Sequence, residues 1–246
     1  SGAALIDELL RHKATFAAFR LPGQQAVVYI QHDEQLRPPH AGQRCLVLAP
    51  FDGFDGPALC IRPDEKLLLG SDTLLSTNTE AAHWEAIEPK RGLNREGYAS
   101  AVEQAVLSIQ SGNAEKLVLA RTIDVDVSGL SIGALFVAAT RALPDAFIAI
   151  AHTKPFGLWL GASPERLLSV REKQIEVDAL AGTMPLEQAP NAALDWGRKE
   201  RDEQAIVTRM VMSDLKDAGV RELVASNVSV KRAGPVAHLH TRVTGR

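Results

Sequence analysis

The chain has 246 residues, with 27 Lys and Arg against 30 Asp and Glu for a formal net charge of −3; 46% of it is apolar and 23% charged, the composition of an ordinary soluble globular protein. That balance excludes the basic excess a general nucleic-acid binder needs to neutralise phosphates. No apolar run approaches the ~20 residues of a membrane helix, and no tract is poor enough in apolar residues to read as disordered. Cys45 and Cys60 make neither a disulfide scaffold nor a CxxC pair, so a reducing cytoplasm is the expected compartment. Ser1-Gly2-Ala3-Ala4 has no positive region ahead of an apolar core, so no secretory signal is expected.

Residues 4–18 place Leu5, Leu9, Leu10 and Phe16 near helical spacing and predict an amphipathic opening helix. After Pro22-Gly23, the short apolar runs 26–30, 45–51 and 58–62 alternate with Pro, Gly and Asp, as strands joined by turns do, with turn material over 52–57. Residues 94–111 predict a helix capped by Asn94 and ended near Gly112. The β-branched stretch KLVLARTIDVDV (116–127) reads as a long strand. Residues 131–143 predict a helix capped by Ser131 and stopped by Pro144. An antiparallel meander follows over 146–153, 157–163 and 166–180, turning last at Arg171-Glu172-Lys173. A Pro-, Gln- and Asn-rich loop (184–192) leads to the longest helix, 193–218, ended by Gly219; the tail 221–246 reads as strands broken at Ala233-Gly234-Pro235. Helices and antiparallel strands in segregated runs predict an α+β fold.

Several polar residues sit where burial is expected. Lys116 heads a very apolar stretch, either as a strand edge with its ammonium in water or as a partly desolvated base. Glu165, in GASPERLL, is a surface partner of Arg166 or a general acid at the mouth of a sheet. Gly182-Thr183, at the end of VDALAGT, is a turn or a backbone N–H and hydroxyl presented to a carboxylate. In Lys199-Glu200-Arg201-Asp202-Glu203, Lys199 and Glu203 stand four residues apart on one face with Trp196 and Ile206. A carboxylate turned inward there needs a Lys or a divalent cation beside it. His238 and His240 share one face of a strand, without the Cys or acidic company that a zinc site requires.

Five of these stretches, AEKLVLAR (114–121), LGASPERLLSV (160–170), VDALAGTMP (177–185), WGRKERDEQAIV (196–207) and VAHLHTRVTG (236–245), occur in order and together resemble the chorismate-utilising enzyme family. The resemblance implies an anthranilate synthase component I-like fold of antiparallel sheets flanked by helices. Residues 1–90 would be the family's variable N-terminal part and 91–246 its chorismate-binding catalytic region, in one continuous domain. Isochorismate and salicylate synthases carry Lys where amine-forming relatives carry Gln, and this chain has Lys116. Aminodeoxychorismate synthases often carry Lys before the Gly-Thr, and this chain has Ala181. The implied nucleophile is therefore water. By the same resemblance Lys116 would activate it and Glu165 would protonate the departing C4 hydroxyl. Glu203 would hold Mg²⁺ against the substrate carboxylate, supported by Lys199, while Gly182, Thr183 and His238 would contact chorismate. The implied activity is an isochorismate synthase, with salicylate synthase or a non-catalytic chorismate-binding domain as alternatives, and the KERDEQ texture leans toward menaquinone-type enzymes over siderophore ones. The family pattern continues beyond the VAHLHTRV block with a carboxylate-binding Arg and a second Glu metal ligand. Their absence here predicts a fragment that is inactive on chorismate by itself or is completed by another chain. Chorismate is the one expected partner; no nucleic acid or membrane is expected, and the oligomeric state is open.

Overall fold

The computed structural model describes residues 1–50, 56–69 and 92–246. In chain order its first elements are α1 (Gly2–Arg11), β1 (Thr15–Arg20), β2 (Ala26–Gln31), β3 (Leu46–Leu48), β4 (Leu59–Ile61), β5 (Glu65–Leu69) and α2 (Arg95–Gln110). Then follow α3 (Ile132–Ala142), β6 (Phe147–Thr153), β7 (Gly157–Ser163), β8 (Ser169–Arg171), β9 (Gln174–Pro185) and α4 (Arg198–Asp217). The chain closes with β10 (Val224–Ala225), β11 (Ser229–Ala233) and β12 (Val236–Gly245). The mixture is α+β with antiparallel sheets, as the segregated patterns predict. Two compact units interleave in sequence: Ser1–Pro89 with Val125–Pro164, and Lys90–Asp124 with Glu165–Arg246. No helix among the described residues is long and apolar enough to cross a membrane.

The first unit is built on the antiparallel sheet β5-β2-β1-β6-β7. Alternation along the strands sends Phe16, Ile148 and Ile150 to one face, where Ile6 of α1 and Phe136 of α3 cover them. The residues between them, Ala17 and Ala151, face the small β3–β4 hairpin and its Ile61. Helix α3 is held at both ends by other elements. Buried Asp7 of α1 accepts the Gly133 N–H at 2.8 Å and the Ser131 hydroxyl at 2.5 Å. Arg20 of β1 donates to the carbonyls of Leu143 and Ala146 at 2.6 and 2.9 Å. An acid at the helix N-terminus and a cation at its C-terminus both oppose the macrodipole favourably.

The second unit carries the sheet β10-β12-β9-β8, with β11 paired to β12. Helix α4 lies on one face, over Ala237, Leu239 and Val243 of β12 and Ala179 and Ala181 of β9, all buried. Buried Gln204 pins it there by donating to the Ala179 carbonyl and the Thr241 hydroxyl, each at 3.0 Å.

Several predicted elements differ. The opening helix stops at Arg11, Lys13 takes a left-handed φ of 51°, and residues 15–18 pair as β1 with β2 and β6; the sheet's burial overrides the helical spacing. The proposed strand over 116–127 has no ladder partner among the described residues; Val118 and Val125 are 82% and 73% exposed. β-propensity favours a pleated, half-buried surface and cannot make a strand without a neighbour. The expected meander is two hairpins, β6–β7 and β8–β9, in different sheets, because the chain changes sheet across 164–168. The long helix begins at Arg198 behind Gly197. Ala193–Asp195 form a separate 3₁₀ turn, and Trp196 lies ahead of α4, buried with its indole N–H on the Pro190 carbonyl. Strand β5, absent from the sequence reading, pairs with β2. The turn proposed over 52–57 lies outside the described residues except for Gly56 and Pro57.

Candidate functional site

The candidate site is organised by one irregularity in the β9–β12 ladder. Ala181 opposes Leu239 and Thr183 opposes His238, so Gly182 is an extra residue on β9, and its φ is +62°. A bulge of this kind needs the left-handed conformation that glycine adopts without a Cβ penalty. It also needs space: a Cβ on Gly182 would fall 2.9 Å from the Glu200 carbonyl oxygen and 3.1 Å from the Glu200 Cβ, against the first turn of α4. The bulge re-aims the residues around it. Ala181 keeps its side chain buried on the α4 side, while Thr183 Oγ1 lies 2.8 Å from His238 Nδ1.

At the same point the Gly182 N–H is donated to the Glu203 carboxylate. Glu203 Oε1 lies 2.8 Å from Lys116 Nζ, and both side chains are partly buried. Burial pushes the Glu203 carboxyl upward. The hydrogen bond and charge of Lys116, the charge of Lys199 and the Gly182 N–H outweigh it, so Glu203 stands below the ordinary glutamate range. Lys116 and Glu203 line an open cleft of about 660 Å³ with Glu115, Arg198, Lys199 and Asp202. The Lys199 ammonium is well exposed, 3.8 Å from Glu200 Oε1.

Lys116, Gly182 and Glu203 thus converge, with Lys199 beside them, and Thr183 and His238 form a pair one residue along the bulge. Glu165 is exposed in the link between β7 and β8 and is not among the residues lining the cleft. His238 and His240 share a strand face but have different partners: His240 Nε2 lies 2.8 Å from Oδ1 of the enclosed Asp178 side chain and Nδ1 3.3 Å from Ser229 Oγ. Lys231 Nζ lies 3.3 Å from the other Asp178 oxygen. Among the described residues no group of three His, Cys, Asp or Glu is gathered for a metal ion. The sequence reading did not single out Asp178 or Gln204. The signal for Asp178 is an acid inside the apolar run 177–181 of β9, and for Gln204 an amide on the apolar stripe of α4.

A family model described as "chorismate binding enzyme" matches residues 13–246. The anthranilate synthase component 1 of Methanothermobacter thermautotrophicus is 28% identical over 206 residues, covering 80% of this chain and 44% of that protein. The isochorismate synthase MenF of Escherichia coli is 32% identical over 112 residues, covering 44% of this chain and 23% of that protein. The chain therefore spans less than half the length of these curated relatives. Among solved structures, MenF from Escherichia coli superposes with a TM-score of 0.65 at 20% identity, over 94% of this chain and 64% of that one. DhbC from Bacillus anthracis superposes at 0.60 and 17% identity, over 98% and 71%. At these identities the superpositions show the fold.

Proposed function

The chain belongs to the chorismate binding enzyme family, and from that premise we propose that it carries the chorismate-binding part of an isochorismate synthase. The observation that carries the reading is the 2.8 Å pairing of Lys116 with Glu203 at the Gly182 bulge. A lysine at this position is what the family resemblance associates with water as nucleophile, and Ala181, ahead of the Gly-Thr, leaves no second lysine to compete for attack. In the proposed reaction Lys116, released from Glu203 and deprotonated, takes a proton from water as its oxygen bonds to C2 of chorismate. Electrons move through the diene, the C4–O bond breaks, and Glu165 delivers the proton with which that hydroxyl leaves as water. The reaction requires the base deprotonated and the acid protonated at one pH. Thr183 and His238 are proposed to contact the substrate beside the bulge.

The donor chemistry fits a hard cation. Glu203 is a partly buried carboxylate kept ionised by its neighbours, and Glu200 stands three residues before it on the same helix. Mg²⁺ is commonly held by one or two carboxylates, with water and substrate oxygens filling its shell. When bound it supplies positive charge to the substrate carboxylate. Glu203 and Glu200 are the residues proposed to hold it. A second reading, chorismate binding without turnover by this chain alone, is favoured by the exposure of Glu165 outside the cleft.

The test is incubation of the chain with chorismate, Mg²⁺ and ammonium in ¹⁸O-labelled water, with products separated by HPLC and weighed. Isochorismate carrying one ¹⁸O supports the proposal. Saturable binding with chorismate unchanged supports the second reading. Anthranilate, or salicylate with pyruvate, overturns the assignment.

A further inference from the structure

We propose that Lys116 is a tethered competitor for the divalent cation: its ammonium occupies Glu203 Oε1 when no metal is bound, and the cation must displace it to reach that oxygen. The inference rests on the reading of Glu203 as a metal ligand and concerns what that ligand does beforehand. Lys116 Nζ lies 2.8 Å from Oε1, the contact distance of a charge-assisted hydrogen bond, and Mg²⁺ bonds to oxygen ligands at about 2.0–2.1 Å, so the ammonium hydrogen and the metal cannot share one lone-pair direction. The charged lining of the cleft balances while the lysine is present. Lys116, Arg198 and Lys199 face Glu115, Asp202 and Glu203, and without Lys116 the same lining carries one net negative charge. The lysine therefore opposes metal capture in two ways, by occupying the donor and by cancelling the field. Its attachment makes displacement feasible: Lys116 reaches Glu203 on a long side chain from the 116–127 segment, which has no ladder partner among the described residues. Metal binding and release of the ammonium from Glu203 are then one coupled event.

Mn²⁺ serves as the probe, because the electron paramagnetic resonance signal of the free hexaaqua ion falls as the protein captures it. The unsubstituted chain, Lys116→Met, Lys116→Gln and Glu203→Gln are titrated at low ionic strength, with circular dichroism confirming that each variant is folded. Both Lys116 variants are expected to bind Mn²⁺ about two- to fivefold more tightly, the effect of removing one partly exposed competing charge, and Glu203→Gln to lose most binding. Weaker or unchanged binding in both Lys116 variants, with binding still lost in Glu203→Gln, would overturn the competition while leaving Glu203 as a ligand. Binding undiminished in Glu203→Gln, or no capture by any variant, would overturn the metal assignment itself.

Discussion

Gly182 and Glu200 meet where a strand bulge touches the first turn of a helix, with 2.9 Å between the glycine's would-be Cβ and the glutamate carbonyl oxygen. The contact brings the Gly182 N–H to Glu203 and leaves Thr183 facing His238. Gly182→Ala must place a methyl against backbone at a φ that L-residues adopt at a cost of roughly 1–2 kcal/mol. It is expected to lower stability by at least that amount in urea denaturation, and to weaken chorismate binding in calorimetric titration.

Ion pairing at Glu203 makes a pH-dependent prediction whose sign follows from its lowered pKa. The stabilisation is complete above the unfolded glutamate pKa, about 4.3, and is lost as pH falls through the lower folded value. Lys116→Met removes the hydrogen bond and charge that lower it. Its stability deficit relative to the unsubstituted chain should be present at pH 7 and shrink below about pH 4, as read from urea midpoints across that range. A deficit independent of pH would show that Lys116 stabilises through packing alone.

The Asp178 side chain is 2% exposed and bonded to His240 and Lys231, with Arg242 Nε at 4.0 Å. Burial raises its pKa, and the His240 and Lys231 contacts more than reverse that, so it too stands below the ordinary range. Asp178→Ala leaves the partly buried His240 imidazole and Lys231 ammonium without their acceptor, and a loss of about 1–3 kcal/mol is expected, again fading at low pH. Differential scanning calorimetry at pH 7 and at acid pH tests both parts.

In the first unit, Asp7 accepts the Gly133 N–H at the N-terminus of α3, beside the Ser131 cap on Ala134. Asp7→Ala is expected to cost about 1–2 kcal/mol, the range of lost helix caps, and Asp7→Asn less, since one carbonyl oxygen remains. Equilibrium unfolding by circular dichroism ranks the two variants.

For the proposed reaction, in a preparation that turns chorismate over, Lys116→Ala and Glu165→Ala should each reduce kcat by about 100-fold or more. His238→Ala should raise KM more than it lowers kcat. Full turnover in either of the first two variants removes that residue from the acid–base pair.

The parts of this protein that the sequence determines by itself are those governed by neighbours within a few residues. Asn94 and Ser131 cap α2 and α3 where their side chains reach the third N–H onward, and Gly234 turns the β11–β12 hairpin at a positive φ. The lysine, the glutamate, the Gly-Thr pair and the histidine of the candidate site were legible as residues for the same reason: their motifs are contiguous. The need of Glu203 for a cationic partner also followed from its helical spacing. Which cation met it did not, because Lys116 lies 87 positions earlier and reaches it only through the fold. Tertiary structure alone decided that 15–18 would be strand, that 116–127 would lack a ladder, that the chain would change sheets after β7, and that Gly182 would bulge beneath α4. Capping and periodicity are settled by local hydrogen bonds and burial along one element. Pairing, register and ion-pair partners are settled by which distant segments come together, and that information is absent from any short window of sequence.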